Sequence, residues 1–154
     1  MKRKSRRGLT LVELIVAFTI LFLLTGMAVP LARNNVRREK ERDLRLALRE
    51  LRTAIDKYKD LADMNMLGPV KIGTEGYPEN LEMLVEGVKL SGSVDKKIRF
   101  LRRIPKDPMT NTYEWGMRSV QDDPNSLSWG GQNVFDVYTK STDKAPDGTP
   151  YSQW

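Results

Sequence analysis

The sequence predicts an α+β fold: a long N-terminal helix, a membrane span continuing into an amphipathic half, packed on a small antiparallel sheet. Three observations predict it. Residues 9–32 hold one charged side chain, Glu13, among 24 positions. Leu44, Leu48, Leu51, Ile55, Tyr58 and Ala62 then recur at spacings of four and three, one apolar stripe on a helix of 3.6 residues per turn. Further on, apolar residues alternate in two short runs bounded by turn residues, as in half-buried strands.

The first element is a membrane-span candidate, because a bilayer core about 30 Å thick takes about 20 apolar residues as helix. A cleaved secretory signal also begins with basic residues, but its apolar core runs only about 7–15 residues. Its exit would here fall at Ala28-Val29-Pro30-Leu31-Ala32, with Pro30 where a small residue is needed. Glu13 needs its own account, since a charge inside a span costs about 2.5–3.5 kcal/mol on insertion scales. Either it snorkels to the interface, lying four residues beyond Leu9, or it meets a positive partner within the membrane. The span has no Lys or Arg; an α-amino group freed by a cut after Gly8 would supply the charge.

No Gly or Pro interrupts residues 31–67. The apolar and amphipathic segments therefore read as one helix of about 55 residues, about 80 Å long at 1.5 Å per residue, with Pro30 as the place for a kink or partial unwinding. Arg37, Arg38, Glu39, Lys40, Glu41, Arg42 and Asp43 interleave both signs. They read as a solvated face with i,i+4 pairs, or as pairing between subunits.

Beyond the helix, residues 64–76 form a loop by their Gly and Pro content (Gly68-Pro69, Gly73, Gly76). Pro78-Glu79-Asn80 opens a short helix over residues 81–85, ended by Gly87. Residues 98–104 mix apolar and basic side chains, and Pro105 and Pro108 then forbid regular structure. Residues 113–120 read as a strand with Tyr113, Trp115 and Met117 on one side, residues 122–126 as a turn, and residues 133–141 as a second strand. The tail, residues 142–154, is turn-rich. Residues 33–154 are enough for a modest core between a helix layer and two or three strands.

Composition narrows the chemistry. A chain of 154 residues fits one domain of ordinary size. With no Cys and no His, it has no disulfide, thiolate metal site, Ser-His-Asp triad or Cys-His pair. The net charge of +6 points first to nucleic acid or a membrane surface. Five of the basic residues lie within residues 2–7, however, and without the first eight residues the balance is 21 basic to 20 acidic. Lys96, Lys97, Arg99, Arg102, Arg103 and Lys106, with Phe100 among them, could bind phosphates in a salt-sensitive way, or form a subunit contact or solvated face. Trp115, Trp129 and Tyr151 near Asp122, Asp123 and Asp136 could form a carbohydrate site with paired carboxylates, or serve as core and turn residues. With no cofactor fingerprint either, an enzyme is not expected.

Gly8-Leu9-Thr10-Leu11-Val12-Glu13, following Arg6-Arg7 and opening a long apolar helix with Pro30 late in it, resembles the class III leader of type IV pilins and pseudopilins. Leu9 departs from the family, which most often has Phe there. The resemblance implies cutting after Gly8 by a prepilin peptidase, N-methylation of Leu9, and pairing of Glu13 in one subunit with the terminal amine of a neighbour during filament assembly. In the second half, Tyr77-Pro78, then Leu101-Arg102-Arg103-Ile104-Pro105-Lys106-Asp107-Pro108, then Phe135-Asp136-Val137-Tyr138 resemble the major pseudopilins of type II secretion. The likeness is strong over residues 6–32 and patchy but ordered over residues 77–143. The absence of Cys agrees, since many type IVa pilins carry a C-terminal disulfide loop.

What this resemblance implies is a pilin-like organisation. Residues 1–8 are a leader removed on processing, 9–32 a transmembrane and assembly helix, 33–63 its amphipathic half, and 64–154 a small α+β head with a C-terminal loop. The implied function is a structural subunit of a periplasmic pseudopilus of type II secretion. The alternative is a type IV or competence-type pilin used for adhesion, motility or DNA uptake. The implied partners are further copies of the chain, the prepilin peptidase and N-methyltransferase, the inner-membrane assembly platform and minor pseudopilins; nucleic acid is not expected. The protein is expected to span the bacterial inner membrane once, with its C-terminal domain in the periplasm, before entering the filament. The leader is placed in the cytoplasm on the resemblance, because Arg33, Arg37, Arg38, Lys40 and Arg42 directly beyond the span leave charge counting undecided.

The family also carries a calcium site in its C-terminal loop. Aligning residues 135–143 with the family's last strand and following loop puts Asp143 at a ligand position, with the Lys140 carbonyl beside it and Asp147 as second acidic ligand. Ca²⁺ takes six to eight oxygens from carboxylates and carbonyls, and Pro146 and Gly148 let the loop curl. The loop is shorter than the family's acidic, Gly-rich one, and Lys144 adjoins Asp143. Asp residues are also what a surface turn needs.

Overall fold

The computed structural model describes residues 10–92 and 96–154, without the side chains of residues 25–34. The chain divides into two compact units, Met1–Glu39 and Lys40–Trp154. Helix α1 (Leu11–Asp63) supplies the described secondary structure of the first and one layer of the second.

α1 starts on a side-chain cap. The Glu13 N–H donates to Thr10 Oγ1 at 3.3 Å, and the Leu14 N–H donates to the Thr10 carbonyl at 3.1 Å. Thr10 and Glu13 stand at the spacing of a capping box, and an acid in the first turn suits the positive end of the helix dipole. The Thr19 hydroxyl donates back to the Ile15 carbonyl at 2.8 Å, so this polar group is satisfied within the helix. All side chains of residues 11–24 are exposed, Leu11 at 75% and Phe22 at 81%. Among the described residues no helix is long and apolar enough to cross a membrane. The span read from the sequence also takes in Leu9 and the side chains of residues 25–32, which lie outside the described residues.

In the second unit α1 buries Leu44, Leu48, Leu51, Ile55 and Tyr58, as the stripe predicts, while Ala62 is half-buried. Ala47 and Ala54 widen the buried face. Against it pack Leu67, Leu81, Leu84, Leu101, Trp115, Val134, Val137, Ala145 and Tyr151. Helix α2 (Glu82–Glu86) lies where the sequence places it. Asn80 Oδ1 accepts the Met83 N–H at 3.0 Å, and Gly87 at φ 87° ends the turn. A Cβ on Gly87 would stand 2.8 Å from the Ile98 carbonyl, so the close approach of the next ribbon requires glycine.

The sheet layer is two antiparallel ribbons. β1 (Val88–Lys89) pairs with β2 (Lys97–Ile98), Val88 opposite Ile98. Strands of two residues show no alternation, and the sequence therefore reads β2 only as a mixed run. β3 (Trp115–Arg118) pairs with β4 (Asp136–Thr139), Gly116 opposite Tyr138 and Arg118 opposite Asp136. The alternation expected in β3 is corrected here: Tyr113 is 63% exposed and Arg118 is buried. The segment between Pro105 and Pro108 has no regular structure, as expected. It is anchored by Asp107, which is fully buried. Asp107 Oδ1 accepts the Met109 N–H at 2.8 Å, and Oδ2 accepts the hydroxyls of Thr110 at 3.0 Å and Thr139 at 2.6 Å. A 3₁₀ turn, Tyr151–Gln153, closes the chain with Tyr151 in the core.

Candidate functional site

The N-terminal site is the start of α1. Gly8 and Leu9 lie outside the described residues. Glu13 sits in the first helical turn, exposed, with Leu11, Val12, Leu14 and Ile15 exposed around it. A helix apolar on all sides finds its solvent in lipid or among other helices. A single carboxylate in that setting is costly unless a positive charge meets it. The Thr10–Glu13 cap is a feature that the sequence reading above missed, although its T-x-x-E spacing was present.

The C-terminal loop is the second candidate. Residues 144–150 fold back on themselves: Lys144 bridges to Pro150, the Ala145 N–H donates to the Thr149 carbonyl at 2.8 Å, and the Gly148 N–H to the Ala145 carbonyl at 2.9 Å. Pro146-Asp147-Gly148 forms the turn, Gly148 at φ 88°, with the residue types such a turn requires. Asp147 Oδ1 accepts the Thr149 N–H at 2.9 Å, and that bond holds the carboxyl below its ordinary pKa. The main-chain oxygen of Asp143 accepts the Tyr151 N–H at 3.2 Å. Lys140 extends its ammonium to Glu114 at 3.2 Å. Calcium needs at least six oxygens. One carboxylate of this set caps its own turn, the Asp143 carbonyl is taken by Tyr151, and among the described residues no group of three or more acidic side chains is placed to hold a metal. Lys140, Asp143 and Asp147 offer two carboxylates and one carbonyl, and with one Asp147 oxygen already capping its own turn they fall short of the six oxygens a calcium ion takes.

A different set converges beside the loop. Arg118 donates from Nε to the Ser126 carbonyl at 2.8 Å, from one terminal nitrogen to Asp136 Oδ2 at 3.2 Å, and from the other to the Ser152 carbonyl at 3.1 Å. Its guanidinium lies 4.1 Å from the centre of the Tyr138 ring. Arg52, from α1, donates to Asp136 Oδ1 at 2.7 Å, to the Val137 carbonyl at 3.2 Å and to the Trp154 main-chain oxygen at 2.7 Å. The Tyr151 hydroxyl donates to Glu41 at 2.6 Å, and Arg45 stacks on Trp154 at 4.2 Å. None of these arginines is marked out in the sequence. Each partner is many residues away, and no local pattern marks it.

The remaining candidates hold the structure together. Phe100 packs against Tyr58, ring centres 5.5 Å apart, instead of standing free among the basic residues to stack on a base. Lys106 lies over Tyr113. Trp115 is buried, its indole donating to the Pro105 carbonyl at 2.9 Å. Asp122 Oδ2 accepts the N–H groups of Ser119 at 2.7 Å and Gly130 at 3.0 Å, which lowers its pKa. Asp136 serves the two arginines.

The N-terminal segment matches a family profile described as the prokaryotic N-terminal methylation motif, over residues 3–29. Over nearly its full length the chain is similar to proteins named Type II secretion system core protein G. It is 25% identical to that of Pseudomonas aeruginosa, covering 97% of this chain and 92% of the relative. It is 25% identical to that of Klebsiella michiganensis, covering 95% and 90%, and 26% identical to that of Vibrio cholerae, covering 96% and 88%. No solved structure gives a significant match. These findings bear out the resemblance read from the leader and from the ordered motifs of the second half.

Proposed function

We propose that this chain is a structural subunit of a pilus-like filament, the pseudopilus of a type II secretion system. The observation that supports this most is the methylation motif over residues 3–29, opening directly onto α1 with its exposed apolar surface and with Glu13 in the first turn. The near full-length likeness to core protein G supports the secretion system among filament types.

In this reading a prepilin peptidase cuts after Gly8, and Leu9 becomes the methylated N-terminus. The apolar helix holds the subunit in the inner membrane, with the head in the periplasm. The assembly platform then transfers it into the filament, where α1 segments of neighbouring copies cover one another. The amine of an incoming Leu9 meets Glu13 of a neighbour, so a charge that is costly in lipid becomes half of an ion pair and sets the axial register. Minor pseudopilins join the same filament, and the role is structural, not catalytic.

Glu13→Gln in the native host tests the pairing. The variant should be processed and inserted normally, yet yield no sedimentable filament and no secretion. Filaments forming at the normal level would contradict the pairing.

A further inference from the structure

The resemblance implies a calcium ion closing the C-terminal loop, and the residues expected to bind it supply fewer oxygens than the ion takes. The segments on either side of that loop are nevertheless tied together. Arg118 and Arg52 together collect six oxygens: the carbonyls of Ser126, Ser152 and Val137, the main-chain oxygen of Trp154, and both carboxylate oxygens of Asp136. Calcium takes six to eight oxygens of these same kinds. The oxygens come from the turn after β3, from β4 and from the last three residues, segments that are far apart in sequence. A guanidinium can do this because it is planar, permanently charged and carries five N–H donors in a fixed fork. Arg118, only 6% exposed at its side chain, has its charge matched by Asp136. Among the described residues no buried side-chain nitrogen or oxygen lacks a hydrogen-bond partner.

We infer that an arginine pair, Arg52 and Arg118 bridged by Asp136, closes the C-terminal loop in place of a divalent cation, so that the head of this protein is stable without calcium. Around this pair, Tyr151 on Glu41 and Trp154 beneath Arg45 fix the end of the chain to α1. The edge-to-face contact between the two rings, 4.9 Å between centres, joins those anchors. The inference goes beyond the filament reading and does not depend on it.

The test uses the full chain in detergent micelles, stripped with EDTA and returned to calcium-free buffer. Thermal unfolding and limited trypsin digestion are followed with and without millimolar calcium chloride, Lys140 and Lys144 being the cleavage points in the loop. The expected result is an unchanged Tm and equal resistance of residues 141–154 to trypsin. A rise in Tm of more than about 4 °C with calcium, the scale of about 1 kcal/mol of ligand stabilisation in a domain of this kind, or loop cleavage only after EDTA, would overturn the inference. In the second arm Arg118→Lys keeps the charge and removes the fork. It should lower Tm and speed cleavage at the loop, and calcium should restore neither. An unchanged Tm would overturn the inference equally. If Arg118→Lys does not fold, Arg52→Lys, at the more exposed rim of the pair, gives the same readout. Unfolding in micelles involves no assembly, so these outcomes are separate from any failure to form filaments.

Discussion

Gly116 in β3 faces Tyr138 across the ribbon, and a Cβ there would stand 2.3 Å from the Tyr138 ring. The glycine makes room for the ring on which Arg118 lies. Gly116→Ala should therefore cost about 1–3 kcal/mol through overpacking, read as a lower urea midpoint with an unchanged slope. Asp107 accepts three hydrogen bonds at zero exposure. Asp107→Asn leaves one accepting oxygen where the carboxylate has two, so at least one of these hydrogen bonds is lost or must reverse, and it should cost about 1–3 kcal/mol by the same measurement. At this scale the sequence was readable where a residue acts through near neighbours: Asp107 beside Pro108 marks an irregular turn, and Pro146-Asp147-Gly148 marks a tight one. It was unreadable for Arg118. Strand alternation assigns no burial to a charged residue there, and its acceptors lie 8, 18 and 34 residues away.

Among the elements, the amphipathic half of α1 was legible because its signal repeats within each turn. Leu51 and Ile55 are fully buried, and Leu51→Ala should lower stability by about 2–5 kcal/mol, set by how far the cavity collapses. β1 and β2 were not legible, because Val88–Lys89 and Lys97–Ile98 are held by pairing and by Gly87 rather than by any pattern of their own. The loop from Ser119 to Asn133 has a pH dependence that follows from Asp122. Its carboxylate is held below the ordinary value by the Ser119 N–H first and the Gly130 N–H next. A depressed pKa means that this contribution is present above the ordinary carboxylate value and is lost as pH falls through the lowered one. Acid should therefore loosen the loop as pH falls through that lowered value. The reporter is Trp129, whose indole donates to the Asn133 carbonyl at 2.7 Å. Its fluorescence should shift on acidification, and Asp122→Ala should show the acid-type signal already at neutral pH.

For the molecule as a whole, the part most legible in sequence is the part that defines its class. The proposed leader and cut position and Glu13 are contiguous, so their chemistry can be read from a dozen residues, and the matched motif, residues 3–29, takes in Gly8, Leu9 and Glu13. The closure of the head was not legible, because it is assembled from Arg52, Arg118, Asp136 and the chain end, which come together only after folding. In the two proposals together, the chain is a filament subunit with an apolar, exposed helix surface and a head closed by its own arginines. The most direct test of the central claim is the intact mass and N-terminal sequence of the protein from native membranes, beside a Gly8→Val variant. The account predicts a mature chain beginning at Leu9 and heavier by one methyl group, with both changes absent in the variant. A chain retaining Met1, or one cut near Ala32, would contradict it.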